Sequence, residues 1–363
     1  MFSPRNLWNR LVAPIDTPLM TFSALLVVYA LIVLASASPE RLGSQLLNMA
    51  VALVVMRLAA QMPPQKLMHF ALPIFLTGLV LLMAVALFGD ISKGARRWLN
   101  LGFMRIQPSE IMKIAMPLML AWYFQNHESS LRVREFVIAT VILLVPVGLI
   151  ARQPDLGTAV LVFAAGCYVI FLAGLSWKVI VGLLLSGIAA APLAWSFLRD
   201  YQKARILTLL DPESDPLGKG FHIIQSTIAI GSGGILGKGW GQGTQAQLEF
   251  IPERHTDFIF AVLSEELGLI GITVLLVLYA LLIGRGLMIA AQAPTLFSRL
   301  LAGAITLIIF TYAFVNMGMV SGLLPVVGVP LPFISYGGTA LVTLFLSIGI
   351  LMSIHKHRML VQK

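Results

Sequence analysis

Residues 18–37, PLMTFSALLVVYALIVLASA, decide the fold: no charged side chain occurs between Asp16 and Glu40. A helix rises about 1.5 Å per residue, so roughly 20 such residues cross a hydrocarbon layer of about 30 Å. Strands of an outer-membrane barrel would instead alternate polar and apolar residues, and no such alternation is present. Comparable windows follow at 44–61, 69–89, 109–125, 136–151, 156–174, 178–197, 257–284, 299–320 and 334–354. The expected fold is therefore an all-α polytopic membrane protein of about ten transmembrane helices, one integral membrane domain over residues 1–363. Composition agrees, with 58% hydrophobic and 11% charged residues and a mean hydropathy of +0.90. A soluble enzyme carries about twice that charged fraction. Arg5 and Arg10 ahead of a full-length apolar window read as a first anchor, not a cleaved leader. The single cysteine, Cys167, allows no internal disulfide.

Ten spans put both termini on one side. Of the 25 Lys and Arg, twelve fall on that side and Lys113 lies within a span. Ten of the opposite twelve sit in two longer loops, residues 90–108 and 198–256. The positive-inside rule weighs short loops most, so the terminal side is expected to be cytoplasmic. Only Asp16, Glu128 and Glu135 offset its cations, an excess that suits anionic membrane lipids. Most charge outside the spans on the other face is thus gathered in two loops.

The longer loop, residues 198–256, is too long for a passive connection. It opens with Arg199, Asp200, Lys203 and Arg205, and Phe221–Ser226 reads as a short amphipathic helix on the surface. Residues 231–243 then hold seven glycines in thirteen positions. Ser232 and Gly239 rule out a Walker A loop. Either flexibility or close approach of backbone to an anionic or sugar ligand would explain the glycines.

Ionisable groups within spans cost on the order of 3 kcal/mol each. They are Glu110, Lys113, Glu265 and Glu266. Glu110 and Lys113, three apart, share a helix face and can pair, with Ser109 read as an N-cap after Pro108. Such a pair either fixes packing or lines an outward cavity beside Arg96, Arg97, Trp98 and Arg105. Asp257 falls where the long loop meets the eighth span, as an N-cap or a functional carboxylate. Glu266, half a helical turn around and about 13 Å deeper, would not work beside it. The scattered histidines suggest no metal cage, although outer acids could hold a hard divalent cation such as Mg or Mn.

Gly94-Ala-Arg96-Arg97-Trp98, Gln107-Pro-Ser-Glu110-Ile-Met-Lys113, Gln153-Pro-Asp155-Leu-Gly-Thr158, Pro252-Glu-Arg-His-Thr-Asp257-Phe-Ile-Phe260, Glu265-Glu266-Leu-Gly268 and Pro332-Phe-Ile-Ser335-Tyr-Gly-Gly338 together resemble the SEDS family (shape, elongation, division and sporulation) over the whole chain. With Arg254 before His-Thr-Asp, the chain is more similar to the rod-shape-determining branch than to the division branch. The resemblance implies a peptidoglycan glycosyltransferase that polymerises lipid II on the outer face of the bacterial cytoplasmic membrane. It places the catalytic carboxylate at Asp257, with Glu110 and Lys113 as partners and Arg96, Arg97 and Asp155 in support. Lys203, Arg205, Arg254 and Ser335 complete the candidate substrate-binding or supporting residues. It also implies a class B penicillin-binding protein as partner, lipid II as ligand, and no nucleic acid. The partner's single membrane helix is expected between the eighth and ninth spans, where Gly268, Gly271, Gly303 and Gly318 would allow close approach. A flippase of the lipid-linked precursor is the alternative, and predicts discontinuous helices and internal repeats; no repeat is found. A scaffold without catalysis would leave Asp257 unexplained.

Overall fold

The computed structural model describes residues 15–92, 95–100, 105–198, 200–214, 219–248, 250–251 and 253–358. Long helices follow the apolar windows: α1 (Thr17–Ala37), α2 (Leu42–Gln61), α3 (Pro64–Phe88), α4 (Pro108–Asn126), α5 (Val133–Arg152), α6 (Leu156–Leu172) and α7 (Trp177–Phe197). The long loop contributes α8 (Asp200–Leu210) and α9 (Lys219–Ser232) before α10 (Ile259–Ala291), α11 (Leu296–Val320) and α12 (Gly338–Arg358) close the bundle. Among the described residues, seven of these are long and apolar enough to cross a membrane, and α6 and α7 are shorter apolar helices. The tenth, α4, is the one that carries Glu110 and Lys113.

Burial sorts the helices. Most side chains of α4 and α11 are buried, and these two pack on each other with α6 against both. Around them α10 lies on α11 and α1, α12 on α2, and α3 on α4. The outer helices turn Leu47, Leu87 and Leu183 outward, which costs nothing where the surroundings are hydrocarbon. Apart from the half-buried Ile180, the side chains described in α7 are exposed along the helix.

The shorter loop is not helical. Strands β1 (Asp90–Ser92), β2 (Ala95–Asn100) and β3 (Arg105–Ile106) form an antiparallel sheet in the order β1-β2-β3. It stands over the start of α4, where Pro108 occupies a first-turn position with no backbone donor to lose.

The largest departure from the expected pattern lies in α10. At Gly268 the backbone turns to φ 60°, ψ −157°, and the helix breaks. A break within a bilayer strands carbonyls on one side and amides on the other, and each must find a protein partner. The glycine-rich stretch supplies both sets. Lys238 N–H donates to Glu265 O and Gly239 N–H to Glu266 O, each at 3.0 Å, while Leu269 and Ile270 N–H donate to Gly234 and Ile235 O at 2.9 and 3.2 Å. Such backbone proximity excludes side chains: a Cβ at Gly237 would lie 2.1 Å from Glu266 O, and one at Gly268 would lie 2.3 Å from Gly237 N. Gly233, Gly237 and Gly268 therefore let loop backbone stand in for helix backbone.

Helix α9 is amphipathic as expected: Ile223, Ser226 and Ala229 form a buried face that packs on α10, while Thr227 and Ile228 are exposed. One further expectation is corrected. The four glycines assigned to partner docking are used within the chain. Gly268 forms the break, and a Cβ at Gly271, Gly303 or Gly318 would meet Leu267, Leu172 or Leu324 at 2.4, 2.5 and 2.9 Å.

Candidate functional site

A cavity of about 390 Å³ opens at the end of the bundle that carries the sheet, and Arg97, Glu110, Lys113, Asp155 and Asp257 all line it. Five residues from four distant segments thus reach one space. Each is held by a different local device.

Glu110 and Lys113 project from the first turns of α4. Their side chains are 12% and 4% exposed, and Lys113 Nζ donates to Glu110 Oε1 at 2.5 Å. Two buried charges at this depth persist only as a pair. Lys113 Nζ also lies 4.9 Å from the centre of the Tyr312 ring on α11, a cation–π contact that shares the charge with a second helix. Glu110 Oε2 is buried and makes no hydrogen bond.

Asp155 caps α6, its Oδ1 accepting from Thr158 N–H at 3.5 Å. Its Oδ2 accepts from Gln107 Nε2 at 3.1 Å and from the Ser109 hydroxyl at 3.4 Å. Ser109 is thus not the cap of α4; Gln107 occupies that position and makes no side-chain cap bond. Arg97, on β2, reaches down so that Nη2 donates to Pro154 O at 2.8 Å while Nε stands 3.9 Å from Asp155 Oδ1. The backbone of its neighbour Arg96 pairs with Ile91 in the sheet; its side chain lies outside the described residues.

Asp257 ends a turn built on Glu253, whose carbonyl accepts from Thr256 N–H at 3.0 Å and whose Oε2 accepts from the Thr256 hydroxyl at 3.0 Å. The N-cap of α10 is Phe258, with no side-chain cap bond, so capping does not explain Asp257. Behind the turn, the Ser335 hydroxyl donates to Thr256 O at 2.6 Å and accepts from Leu331 N–H at 2.7 Å. Ser335 therefore positions the turn from outside the lining. Asn316, fully buried on α11, donates through Nδ2 to Asp257 O at 2.8 Å and to Val329 O at 2.7 Å. Gly328, at φ 74°, approaches from the facing loop; a Cβ there would lie 3.3 Å from Asp257 Oδ2.

The remaining candidates lie apart. Lys203 and Arg205 are on α8 and outside the cavity lining, and Arg254 donates from Nε to Ala37 O at 2.8 Å beside a second cavity. Glu265 and Glu266 serve the helix break: Glu265 Oε1 accepts from Lys238 Nζ at 2.7 Å, Thr244 Oγ1 at 3.0 Å and Gln245 N–H at 3.1 Å, and Glu266 Oε1 accepts from the Ser36 hydroxyl at 2.5 Å. Tyr312, Asn316 and Gln107 were missed as site residues from sequence. Asn316 had a readable signal, an amide amid Phe314, Val315 and Met317. Among the described residues no group of three or more His, Cys, Asp or Glu could hold a metal ion, so they do not form a preformed cage for Mg or Mn.

Two cations, Arg97 and Lys113, and three carboxylates, Glu110, Asp155 and Asp257, line one cavity; with Glu110 and Asp155 engaged by neighbouring side chains, such a set can bind an anionic leaving group and accept a proton from a nucleophile. Comparison with known proteins places the chain among them. The family model FtsW/RodA/SpoVE, described as cell cycle protein, matches residues 12–360. The peptidoglycan glycosyltransferase MrdB of Escherichia coli K12 is 52% identical over 99% of this chain and 98% of its own length. Stage V sporulation protein E of Bacillus subtilis 168 is 42% identical over 78% of this chain and 76% of its own. Among solved structures, a chain of a peptidoglycan synthase complex that coordinates polymerization and crosslinking matches with TM-score 0.83 and 34% identity, over 94% of this chain and 98% of that one. The rod shape determining protein RodA of Thermus thermophilus matches with TM-score 0.73 and 30% identity, over 94% and 97%. The chain belongs to the FtsW/RodA/SpoVE family of cell cycle proteins, the SEDS family.

Proposed function

We propose that this chain is a peptidoglycan glycosyltransferase that polymerises lipid II into glycan strands for cell elongation, with Asp257 as general base. The observation that carries the reading is the convergence of Asp257, Arg97 and Lys113 on one cavity at an end of the bundle. A lipid-linked disaccharide presents its pyrophosphate at the membrane surface, where those cations would meet it. In the reaction the acceptor's sugar hydroxyl oxygen bonds to the anomeric carbon of the growing chain. The bond from that carbon to the pyrophosphate oxygen breaks, and its electron pair leaves with undecaprenyl diphosphate. The hydroxyl proton passes to Asp257. A single displacement converts an α-linked donor into a β-linked product. Charge that builds on the departing oxygen is offset by Arg97 and Lys113, while Glu110 holds Lys113 in place. A divalent cation taken from solution would be the other source of such charge.

The break in α10 favours a second reading, since a flippase is expected to have discontinuous helices. In carriers of that kind the broken ends face the ligand. Here their carbonyls and amides are bonded to the glycine-rich loop, which favours the enzyme.

The cavity would open on the outer face, with both termini cytoplasmic. A cysteine at Ser214 should then react with an impermeant thiol reagent on intact spheroplasts and one at Ser176 should not; both native positions are exposed. The reverse pattern would refute the outward site. A class B penicillin-binding protein is the proposed partner, in keeping with the matched synthase complex. Purified chain, with and without that transpeptidase, should convert lipid II into glycan strands visible on gels. Lack of strands in both mixtures would remove the enzymatic reading.

A further inference from the structure

A second cavity, of about 300 Å³, lies beside the first and is lined by Glu40, Arg41, Glu253, Arg254 and His255. The same dipeptide, Glu-Arg after a proline, occurs at 40–41 and 253–254, and the fold brings the two copies together from segments more than 200 residues apart in sequence. The bond from Arg254 Nε to Ala37 O, 2.8 Å, ties one segment to the other. Two carboxylates, two guanidiniums and an imidazole leave the cavity close to neutral in sum while offering both signs of charge. The ligand chemistry this suits is a zwitterionic peptide, not a simple anion.

Arg41 has capacity to spare. Its Nε is buried without a hydrogen bond, and the Glu40 carboxylate is 3.9 Å away. Its guanidinium lies 5.1 Å from the centre of the Tyr336 ring, and His255 meets the same ring at 5.8 Å. Tyr336 also lines the Asp257 cavity. One aromatic side chain thus forms a common wall, and the turn from Glu253 to Asp257 runs between the two spaces. Tyr336 N–H fixes that turn by donating to His255 O at 2.9 Å.

We propose that the second cavity binds part of the short peptide borne by the sugar of the lipid-linked substrate, with Arg41 taking a peptide carboxylate. The proposal rests on the glycosyltransferase reading above. A sugar held at Asp257 carries its peptide as a substituent with several carboxylates and an amine, and a mixed-charge space lies across Tyr336. The volume is at the lower end of ligand pockets, about 300–1,000 Å³, which suits one or two residues of that peptide.

The test uses the full chain in nanodiscs with Asp257→Asn to stop turnover. Affinity is measured for lipid II with its whole peptide and for lipid II cut back to the first peptide residue. Whole lipid II should bind about tenfold more tightly, the effect of one charge-assisted contact. Adding Arg41→Gln should bring the ratio to about one by weakening only the whole form, and intact affinity for the trimmed lipid shows that this variant is folded. A ratio near one before Arg41 is changed, or a ratio unaltered by Arg41→Gln, overturns the proposal. So does an equal loss for both lipids, which would make Arg41 a structural residue. The enzymatic reading is judged separately by glycan formation in the unsubstituted chain: polymerisation without peptide preference removes this inference alone, and peptide preference without polymerisation removes the other.

Discussion

Two clusters in this bundle contain a lysine paired with a glutamate at membrane depth, and they are built to opposite ends. In the joint at the α10 break, Glu265 Oε1 has three donors and Lys238 Nζ is shared between Glu265 and Thr244. In the cavity, Glu110 Oε1 accepts from Lys113 while its Oε2 is buried without a hydrogen bond, and Arg97 Nε is likewise buried and unbonded. An unsatisfied buried polar atom costs about 1–3 kcal/mol, so it persists where something other than stability is gained. The carboxylate at the joint is fastened by three donors and the one in the cavity keeps an open oxygen, although by residue type the two pairs look alike.

Asp257→Asn should give the largest effect. Asn keeps the size of Asp and caps a helix about as well, so thermal stability in detergent should change little. Polymerisation of lipid II should fall by at least the ~100-fold typical of acid-base catalysis. Near-normal rates would shift the base elsewhere in the cavity, with Glu110 first in line.

Paired substitutions sharpen the contrast between the clusters. Lys113→Met alone leaves a buried carboxylate unpaired, at a cost of about 3–5 kcal/mol. Adding Glu110→Gln should restore most of the lost melting temperature while activity stays at least about tenfold down, since the cavity has lost a cation facing the leaving group. At the joint, Lys238→Met should destabilise less, because Thr244 and Gln245 still serve Glu265. Its companion Glu265→Gln should recover stability and activity together. Equal recovery of activity in both clusters would end the distinction.

The clusters also differ in how far sequence could reach them. Apolar windows are local, so the ten long helices could be read one at a time, and Glu110, Lys113, Asp155 and Asp257 could be singled out by charge and motif. The break at Gly268 could not, because a glycine within an apolar run reads equally as a place for helices to approach. Its sense depends on Gly237, thirty-one residues earlier in the chain, whose backbone occupies the gap. The same non-locality hid what covers α9, whose apolar face suggested a membrane surface before α10 was there to pack on it. Asn316 and Tyr312 are uncharged, so the cost of an ionisable group within a span does not mark them, yet one fixes the Asp257 backbone and the other faces Lys113.

Gly237→Ala tests the joint through its backbone. The new methyl would meet Glu266 O, and φ of 79° is unfavourable for alanine, a combination worth about 1–3 kcal/mol. Melting temperature should fall while the activity of the folded fraction persists. A variant fully stable but inactive would mean that the glycine-rich loop takes part in the reaction.

The smallest effect is expected at a third charged centre, at the other end of the bundle from the cavity. Asp16 caps α1 through Leu19 N–H at 2.9 Å and receives Arg285 Nε and Nη2 at 3.1 and 2.5 Å, with His355 Nε2 at 3.3 Å. Burial alone would raise its pKa, but the Arg285 hydrogen bonds and the Leu19 amide outweigh that and hold it below the usual carboxylate value. A carboxyl whose pKa is lower in the folded than in the unfolded chain binds fewer protons when folded. Its stabilisation is therefore complete above the unfolded pKa, about 3.9, and is lost as pH falls through the lower folded value. Melting temperature should decline on acidification below about pH 4, and Asp16→Asn should flatten that decline while lowering the plateau at neutral pH. As a satisfied fastening, Asp16 should leave the pH dependence of polymerisation by the folded chain unchanged. A shifted activity profile in Asp16→Asn would show that this end of the bundle is coupled to the cavity, and that complete hydrogen bonding does not by itself separate fastenings from sites.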